Sequence, residues 1–198
     1  MQEFWDQRYD TEEFVYGKHP NAFFKDFIDR NHPGSLLLPA EGEGRNAVYA
    51  ALKGWKVTAF DFSINARKKA LELCREYGVE VGYHISSIED FHTDDRFDAI
   101  ALIFLHLPPE HRHRMHRKLI GFLKPGGYFV MEAFSKKQVH YNTGGPKNTS
   151  LLYQRQDLMD DIQDLELEYF KDKLREVGEG YYHRGKAEVI QLIARKLN

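Results

Sequence analysis

The stretch Leu36–Ser63, "LLLPAEGEGRNAVYAALKGWKVTAFDFS", decides how the rest of the chain is read. It opens on an apolar run, passes two close glycines, Gly42 and Gly44, and enters a helical pattern over Asn46–Leu52 that Gly54 ends. A second apolar run, Lys56–Phe60, stops at Asp61. Strand, glycine loop, helix, strand and terminal acid form a layout suited to a nucleotide-like cofactor. Glycine has no Cβ, so the backbone can turn sharply and approach a ligand while the helix start directs its N–H groups there. Asp61 lies nineteen positions past Gly42, where a carboxylate can accept both hydroxyls of a ribose lying across the strand ends.

Working outward, strand-length apolar runs recur at Val79–His84, Phe97–Phe104 and Gly127–Ala133. Helical patterns separate them. Asn65–Tyr77 sets Ala66, Ala70, Leu73, Cys74 and Tyr77 on one face, and Pro108–Leu123 turns Met115, Leu119 and Phe122 inward with "KPGG" as its stop. The alternation predicts a parallel sheet of α/β type. The tail differs: Leu165–Val177 and Lys186–Lys196 read as two long strands joined by "GEGYYHRG", a hairpin closing the sheet antiparallel. Residues 1–34 form an aromatic-rich preface, and Gln138–Ser150 is a long irregular loop of the sort that carries function.

The chain has 198 residues, 42% of them hydrophobic, and a net charge of −2. These values fit one globular domain and give no electrostatic ground for nucleic acid or an anionic membrane as partner. The single cysteine, Cys74, reads as a buried thiol. The opening "MQEFWDQRYD" lacks a basic and then apolar leader, and no apolar run has membrane-spanning length. A cytoplasmic protein, monomer or homodimer, is the expectation.

The string Gly42-Glu-Gly44-Arg-Asn-Ala47 matches a dinucleotide fingerprint. Pro39, Ala40 and Glu41 nevertheless intervene between strand and first glycine, and Glu41 and Glu43 would stand beside a pyrophosphate. S-adenosylmethionine suits the loop better. It offers one ribose to Asp61, carries no phosphate, and has an α-amino group that Glu41 or Glu43 could attract.

The "EGEGRN" loop, the acid in "FDFS", the strand "FDAIALIFLHLPP", the segment "LKPGGYFVMEAF" and the terminal hairpin together resemble the class I S-adenosylmethionine-dependent methyltransferases over essentially the whole chain. "GRNAVYAALKGWKVTAFDFS" is similar to the tellurite-resistance and thiopurine branch, and "FWDQRYDTEEFVYGKHPNAFF" to the segment that folds over the cofactor in such small-molecule enzymes. The resemblance implies a Rossmann-like, seven-stranded, mostly parallel sheet flanked by helices, with a C-terminal antiparallel hairpin. It also implies a lid at 1–34 and a core at 35–198, with methyl transfer to a small molecule such as a thiol or tellurite and S-adenosylhomocysteine as product. Two departures stand out. Leu38 holds the family's acid position and Ala40 its first glycine, with Glu41 as the substitute carboxylate; Ser87-Ile88 replaces an acid–apolar pair at the adenine.

By the resemblance, Glu41, Gly42, Gly44, Arg45, Asp61, Phe62, Ser87, Ile88 and Phe104 are cofactor-contact candidates, with Phe62 placed to stack on adenine. Trp5, Tyr9, Phe14 and Tyr16 form an aromatic lid that attracts a sulfonium. His106, at the carboxyl end of the fourth strand, is the candidate base. Arg112, Tyr141, His183 and Arg184 are candidates for lining an acceptor pocket. His111, His113 and His116 do not share one helix face, so "HLPPEHRHRMHR" reads as a solvated basic helix and no metal site is assigned. An NAD-dependent reductase, on Gly42, Gly44 and Ala47, and a non-catalytic cofactor-binding module, on Leu38 and Ala40, remain as alternatives.

Overall fold

The computed structural model describes residues 2–197. Its seven strands are β1 (Ser35–Pro39), β2 (Lys56–Asp61), β3 (Gly82–Ile85), β4 (Phe97–Ile103), β5 (Leu123–Phe134), β6 (Leu165–Glu179) and β7 (His183–Lys196). They form one mixed, mostly parallel sheet in the order β3-β2-β1-β4-β5-β7-β6, with antiparallel strands at the C-terminal end. The helices are α1 (Gln2–Tyr9), α2 (Ala22–Arg30), α3 (Arg45–Leu52), α4 (Ile64–Tyr77), α5 (Pro109–Gly121) and α6 (Arg155–Asp161). Among the described residues no helix is long and apolar enough to cross a membrane.

The chain divides into two compact units, Met1–His92 with Glu179–Tyr182, and Thr93–Gly178 with His183–Asn198. In the first, β1 and β2 pair in parallel with Leu38 opposite Ala59, and β2 pairs in parallel with β3. Leu36, Leu37 and Leu38 are all fully buried, as a strand covered on both faces requires. Ser63 caps α4 by accepting the Ala66 N–H, and left-handed Gly78 ends that helix. Ala66, Ala70, Leu73 and Cys74 are buried, whereas Tyr77, read from the sequence as inward, is 42% exposed. The third strand begins at Gly82, three residues later than its apolar pattern suggests.

In the second unit β4 and β5 pair in parallel, and β5 pairs antiparallel with β7 from Tyr128–Arg195 to Phe134–Val189. "KPGG" is part of β5 rather than a helix stop. A Cβ at Gly127 would sit 3.0 Å from the carbonyls of Lys124 and Phe97, so this strand passes too close for a side chain. The loop read as irregular contains 3-10 turns at Lys136–His140 and Thr149–Leu151. The short helix α6 escapes periodicity altogether, because it offers only Leu158 and Asp161 to the interior.

The Met115 and Leu119 face read as inward is buried, and His116, read as part of a solvated basic surface, is buried with it. Arg112, Met115, His116 and Leu119 lie inside, while His111, His113 and Arg114 stay out. Asp161 explains the burial: its two oxygens pair with His113 Nδ1 at 2.7 Å and His116 Nδ1 at 2.6 Å, tying α5 to α6. Among the described residues no group of three or more His, Cys, Asp or Glu is placed to hold a metal.

Candidate functional site

The glycine loop leaves β1 through Ala40, whose φ of +51° is a left-handed backbone normally reserved for glycine. That conformation accounts for the glycine the resembling family has here. Gly42 follows at φ +67°, and its N–H donates to Asp61 Oδ2 at 3.1 Å. Its carbonyl accepts from the Tyr83 hydroxyl at 2.5 Å, and a Cβ there would lie 2.8 Å from the Tyr9 hydroxyl oxygen. Gly44, at φ +87°, lets α3 approach α4 so closely that a Cβ would meet Ala70 at 2.8 Å.

Asp61 is buried at 6% exposure, and its second oxygen accepts the Ser63 N–H at 2.9 Å. Burial pushes its carboxyl up to about 6, against the backbone bonds from Ser63 and Gly42 that favour the charge. Phe62 beside it is half-buried. The carboxylate thus holds the backbone N–H groups of Gly42, Ser63 and Phe62 and, with about four lone-pair sites, retains acceptor capacity, as hydroxyl recognition needs.

The acids around the glycines do other work than the sequence suggests. From the sequence alone, the first N–H groups of α3 face a ligand. In the structure, Glu41 Oε1 accepts those of Asn46 and Ala47, both at 2.8 Å, and Oε2 accepts from the Asn46 side chain. The chain thereby supplies its own anion to the helix terminus. Burial raises the Glu41 carboxyl to about 7, with these bonds opposing the rise. Glu43, considered above as an amino-group partner, is buried and paired with Lys69 Nζ at 2.6 Å while accepting the N–H groups of Val15 and Tyr16.

Arg45 is likewise inside. Its Nη2 pairs with Glu179 at 2.6 Å, and Nη1 donates to the carbonyls of Tyr16 and His19. Glu43 and Arg45 therefore grip the backbone of the preface, and Asn46 accepts the Asn21 N–H. Asp6 completes the docking of α1, accepting from the Ser63 hydroxyl and the Ile64 N–H. The structure brings Trp5, Tyr9 and Tyr16 together: Trp5 stacks on Tyr9 at 5.6 Å, and Tyr16 lies 6.3 Å from Tyr9 and from Tyr182. Phe14 instead packs near Val48, Leu73 and Cys74. Ser87 exchanges hydrogen bonds with Asp90 in a turn, and Ile88 is buried.

The second unit gathers Phe104, His106 and His183 around Phe134. Phe104 is bulky yet has φ +55°, a strained conformation of the kind found at functional sites. Its ring stacks on Phe134 at 4.5 Å and meets His183 edge-on at 4.7 Å. Both nitrogens of His106 are engaged: Nδ1 lies 3.0 Å from the Leu151 carbonyl, to which it donates, and Nε2 accepts the Phe134 N–H at 3.4 Å. Burial holds this imidazole neutral, with its pKa down at about 4.

Arg112 adjoins that cluster through Tyr153, whose ring lies 5.6 Å from that of His106. It binds Asp157 at 3.0 Å and the carbonyls of Leu107 and Ser150, with its guanidinium over Tyr153. Tyr141 is half-buried beyond the first 3-10 turn, and Arg184 is exposed.

Residues 39–127 match the family described as "Methyltransferase domain". The chain is 27% identical over 103 residues to a ubiquinone biosynthesis O-methyltransferase of Rickettsia felis, covering 52% of this chain and 42% of that protein. It thus spans less than half the length of that curated relative. TehB from Haemophilus influenzae superposes with a TM-score of 0.74 at 20% identity, over 98% of this chain and 66% of that one. A protein solved in work on the conversion of a disulfide bond into a thioacetal group during echinomycin biosynthesis superposes at 0.79 with 17% identity, over 100% of this chain and 92% of that one.

The fold is that of the class I methyltransferases. In a class I methyltransferase fold the loop of Gly42 and Gly44 and the acid Asp61 are the parts that sequence alone can find. Tyr83, Lys69, Asn21, Glu179 and Tyr182 could not be found that way. Only Glu179 left a trace, as an acid held between two glycines in "GEG".

Proposed function

We propose that this chain carries out S-adenosylmethionine-dependent methyl transfer to a small molecule, with a thiol or a chalcogen oxyanion such as tellurite as the acceptor class. Residues 1–34 serve as lid and 35–198 as core of one methyltransferase domain, working in the cytoplasm as monomer or homodimer without nucleic acid or membrane. The carrying observation is the buried Asp61 carboxylate, fixed by the N–H groups of Gly42 and Ser63 with acceptor capacity to spare. The donor set fits a phosphate-free cofactor, because Glu41 already occupies the α3 N–H groups that a pyrophosphate would need.

When bound, S-adenosylmethionine supplies an electrophilic methyl on a sulfonium. Asp61 holds the ribose hydroxyls, and the Gly42–Gly44 backbone allows close approach. Phe62, Ile88 and Ser87 flank the adenine. Trp5, Tyr9 and Tyr16 form the aromatic lid that excludes water. Arg45 acts behind these groups by fixing the lid backbone. Tyr141, His183 and Arg112 contribute to the acceptor side, Arg112 by holding the segment around Ser150. A thiolate or chalcogen oxyanion needs no base. For an oxygen or nitrogen acceptor His106 is the candidate, once the Phe134 N–H releases Nε2.

Titration calorimetry with S-adenosylmethionine, S-adenosylhomocysteine and NAD tests the reading, and binding of NAD alone would overturn it. Asp61→Ala is expected to weaken S-adenosylhomocysteine at least about tenfold through lost charge-assisted hydrogen bonds. An unchanged affinity in the folded variant removes that role.

The pH dependence follows from the same group. Ribose recognition uses the carboxylate, so affinity should be level above pH 7 and fall about tenfold between pH 7 and 5. Stability moves the other way. A carboxyl that binds its proton more tightly when folded gains stability on acidification from about pH 6 towards its ordinary value. Glu41, raised to about 7, adds stability in the same sense as Asp61, and His106, held neutral, acts in the opposite sense as pH falls from its ordinary value towards about 4, so the comparison is made against Asp61→Asn. Thermal unfolding and calorimetry between pH 5 and 8 separate the two trends, and a pH-independent affinity would count against Asp61.

A further inference from the structure

Arginines in this protein that turn inward find carboxylates: Arg45 pairs with Glu179, Arg112 with Asp157 and Arg175 with Glu132. Arg8 is different. Its guanidinium carbon lies 4.3 Å from the ring centre of Tyr182, 4.6 Å from Phe4 and 5.4 Å from Trp5. One N–H donates to the Tyr16 hydroxyl at 3.2 Å, and among the described residues no carboxylate lies within ion-pair distance of it. A guanidinium presents five donors, so most of this one's capacity is directed at neither protein nor counter-charge. The surrounding rings are open enough to admit a ligand, Phe4 being 53% and Tyr182 43% exposed. Through Trp5 and Tyr16 the cluster continues to Tyr9, whose hydroxyl rests on Gly42 of the cofactor loop.

We propose that Arg8 is the anion-recognising residue of the acceptor site, and that the acceptor carries an oxyanion group, either a carboxylate or a chalcogen oxyanion. The rings lie against the guanidinium carbon and the Tyr16 hydroxyl takes one N–H of Nη1, which leaves the other N–H groups for an oxyanion with two adjacent oxygens. The same rings give a flat or polarisable body something to pack on. A cationic acceptor is disfavoured, because the aromatic cage that would hold it already contains a positive charge. This inference rests on the methyltransferase reading for the word acceptor, while the anion site stands on the geometry of Arg8 alone.

Trp5 reports on the cage by its fluorescence, and Trp5→Phe establishes that the signal is its own. In the presence of saturating S-adenosylhomocysteine, the protein is titrated with benzoate, with tellurite and with neutral benzamide. At least one of the two anions is expected to give a saturable change, and benzamide none. The tighter of the two anions shows which source the site prefers. Arg8→Gln should weaken the anion at least about tenfold, with a far smaller change in S-adenosylhomocysteine affinity and a slight fall in the melting midpoint from the lost ring and Tyr16 contacts. A role confined to pinning α1 would lower the midpoint but leave the anion response alone. The inference is overturned if neither anion saturates, if Arg8→Gln binds as the parent does, or if benzamide binds equally well. Binding of S-adenosylhomocysteine without an anion response removes this inference only. An Arg8-dependent anion response without cofactor binding removes the methyltransferase reading and keeps the site.

Discussion

Glu179→Ala is expected to lower the stability of the protein by about 3–5 kcal/mol, the cost of leaving one partner of a buried ion pair alone. Arg45 and Glu179 pair at 2.6 Å with both side chains only 8% exposed. Removing the acid strands the guanidinium among the carbonyls of Tyr16 and His19, which accept from it only weakly at 3.4 Å, and takes a partner from Asn21. The pair as a whole is another matter, since desolvating two charges offsets much of their attraction. The double variant Arg45→Met, Glu179→Leu should therefore lose less than Glu179→Ala alone. Urea unfolding of the parent, Arg45→Met, Glu179→Leu and the double variant gives the cycle. Additive losses would mean that the two residues are not coupled.

Glu43→Ala carries the second large effect, again about 3–5 kcal/mol. Glu43 and Lys69 pair at 2.6 Å with 2% and 7% of their side chains exposed. The carboxylate also accepts the N–H groups of Val15 and Tyr16, so its removal releases the preface as well as the ammonium. Lys69 keeps the Thr11 hydroxyl and the Glu13 carbonyl, neither of which neutralises it. Local opening should then show as new proteolytic cleavage within residues 9–20, ahead of global unfolding. Glu43→Gln retains an acceptor for one N–H and should fall between parent and alanine. Protection of that segment in a destabilised Glu43→Ala would separate the ion pair from the anchoring of the preface.

These two pairs also mark where the sequence stops being readable. Gly42, Gly44 and Asp61 were legible because their meaning is local: positive-φ glycines after a strand and an acid at the end of the next. The first five strands were legible because strand runs and helix periods alternate, and the closing pair because two long strand-like runs flank "GEGYYHRG" with no helix between them. Glu43 and Arg45 read as surface or ligand-facing groups because their partners are remote, Lys69 at 26 positions and Glu179 at 134. Charge next to a glycine loop looks the same whether it meets a ligand or the chain itself. On α5 the inward Met115 and Leu119 were legible but His116 was not, since only Asp161, 45 positions on, makes its burial tolerable. Helix α6 was missed because seven residues with a single large apolar side chain inside leave no period to detect.

Glu41, Tyr83 and Asp61 together leave the loop at Ala40–Gly44 little freedom: its carbonyl, its N–H and the start of α3 are all already bonded. Fixing a residue's backbone costs roughly 1–2 kcal/mol of conformational entropy, and five residues ordered only on encounter would draw heavily on ligand affinity. Here that ordering is met once, during folding, by bonds the chain makes to itself. Binding then begins from a rigid receptor, with any remaining reorganisation assigned to the aromatic side chains above it.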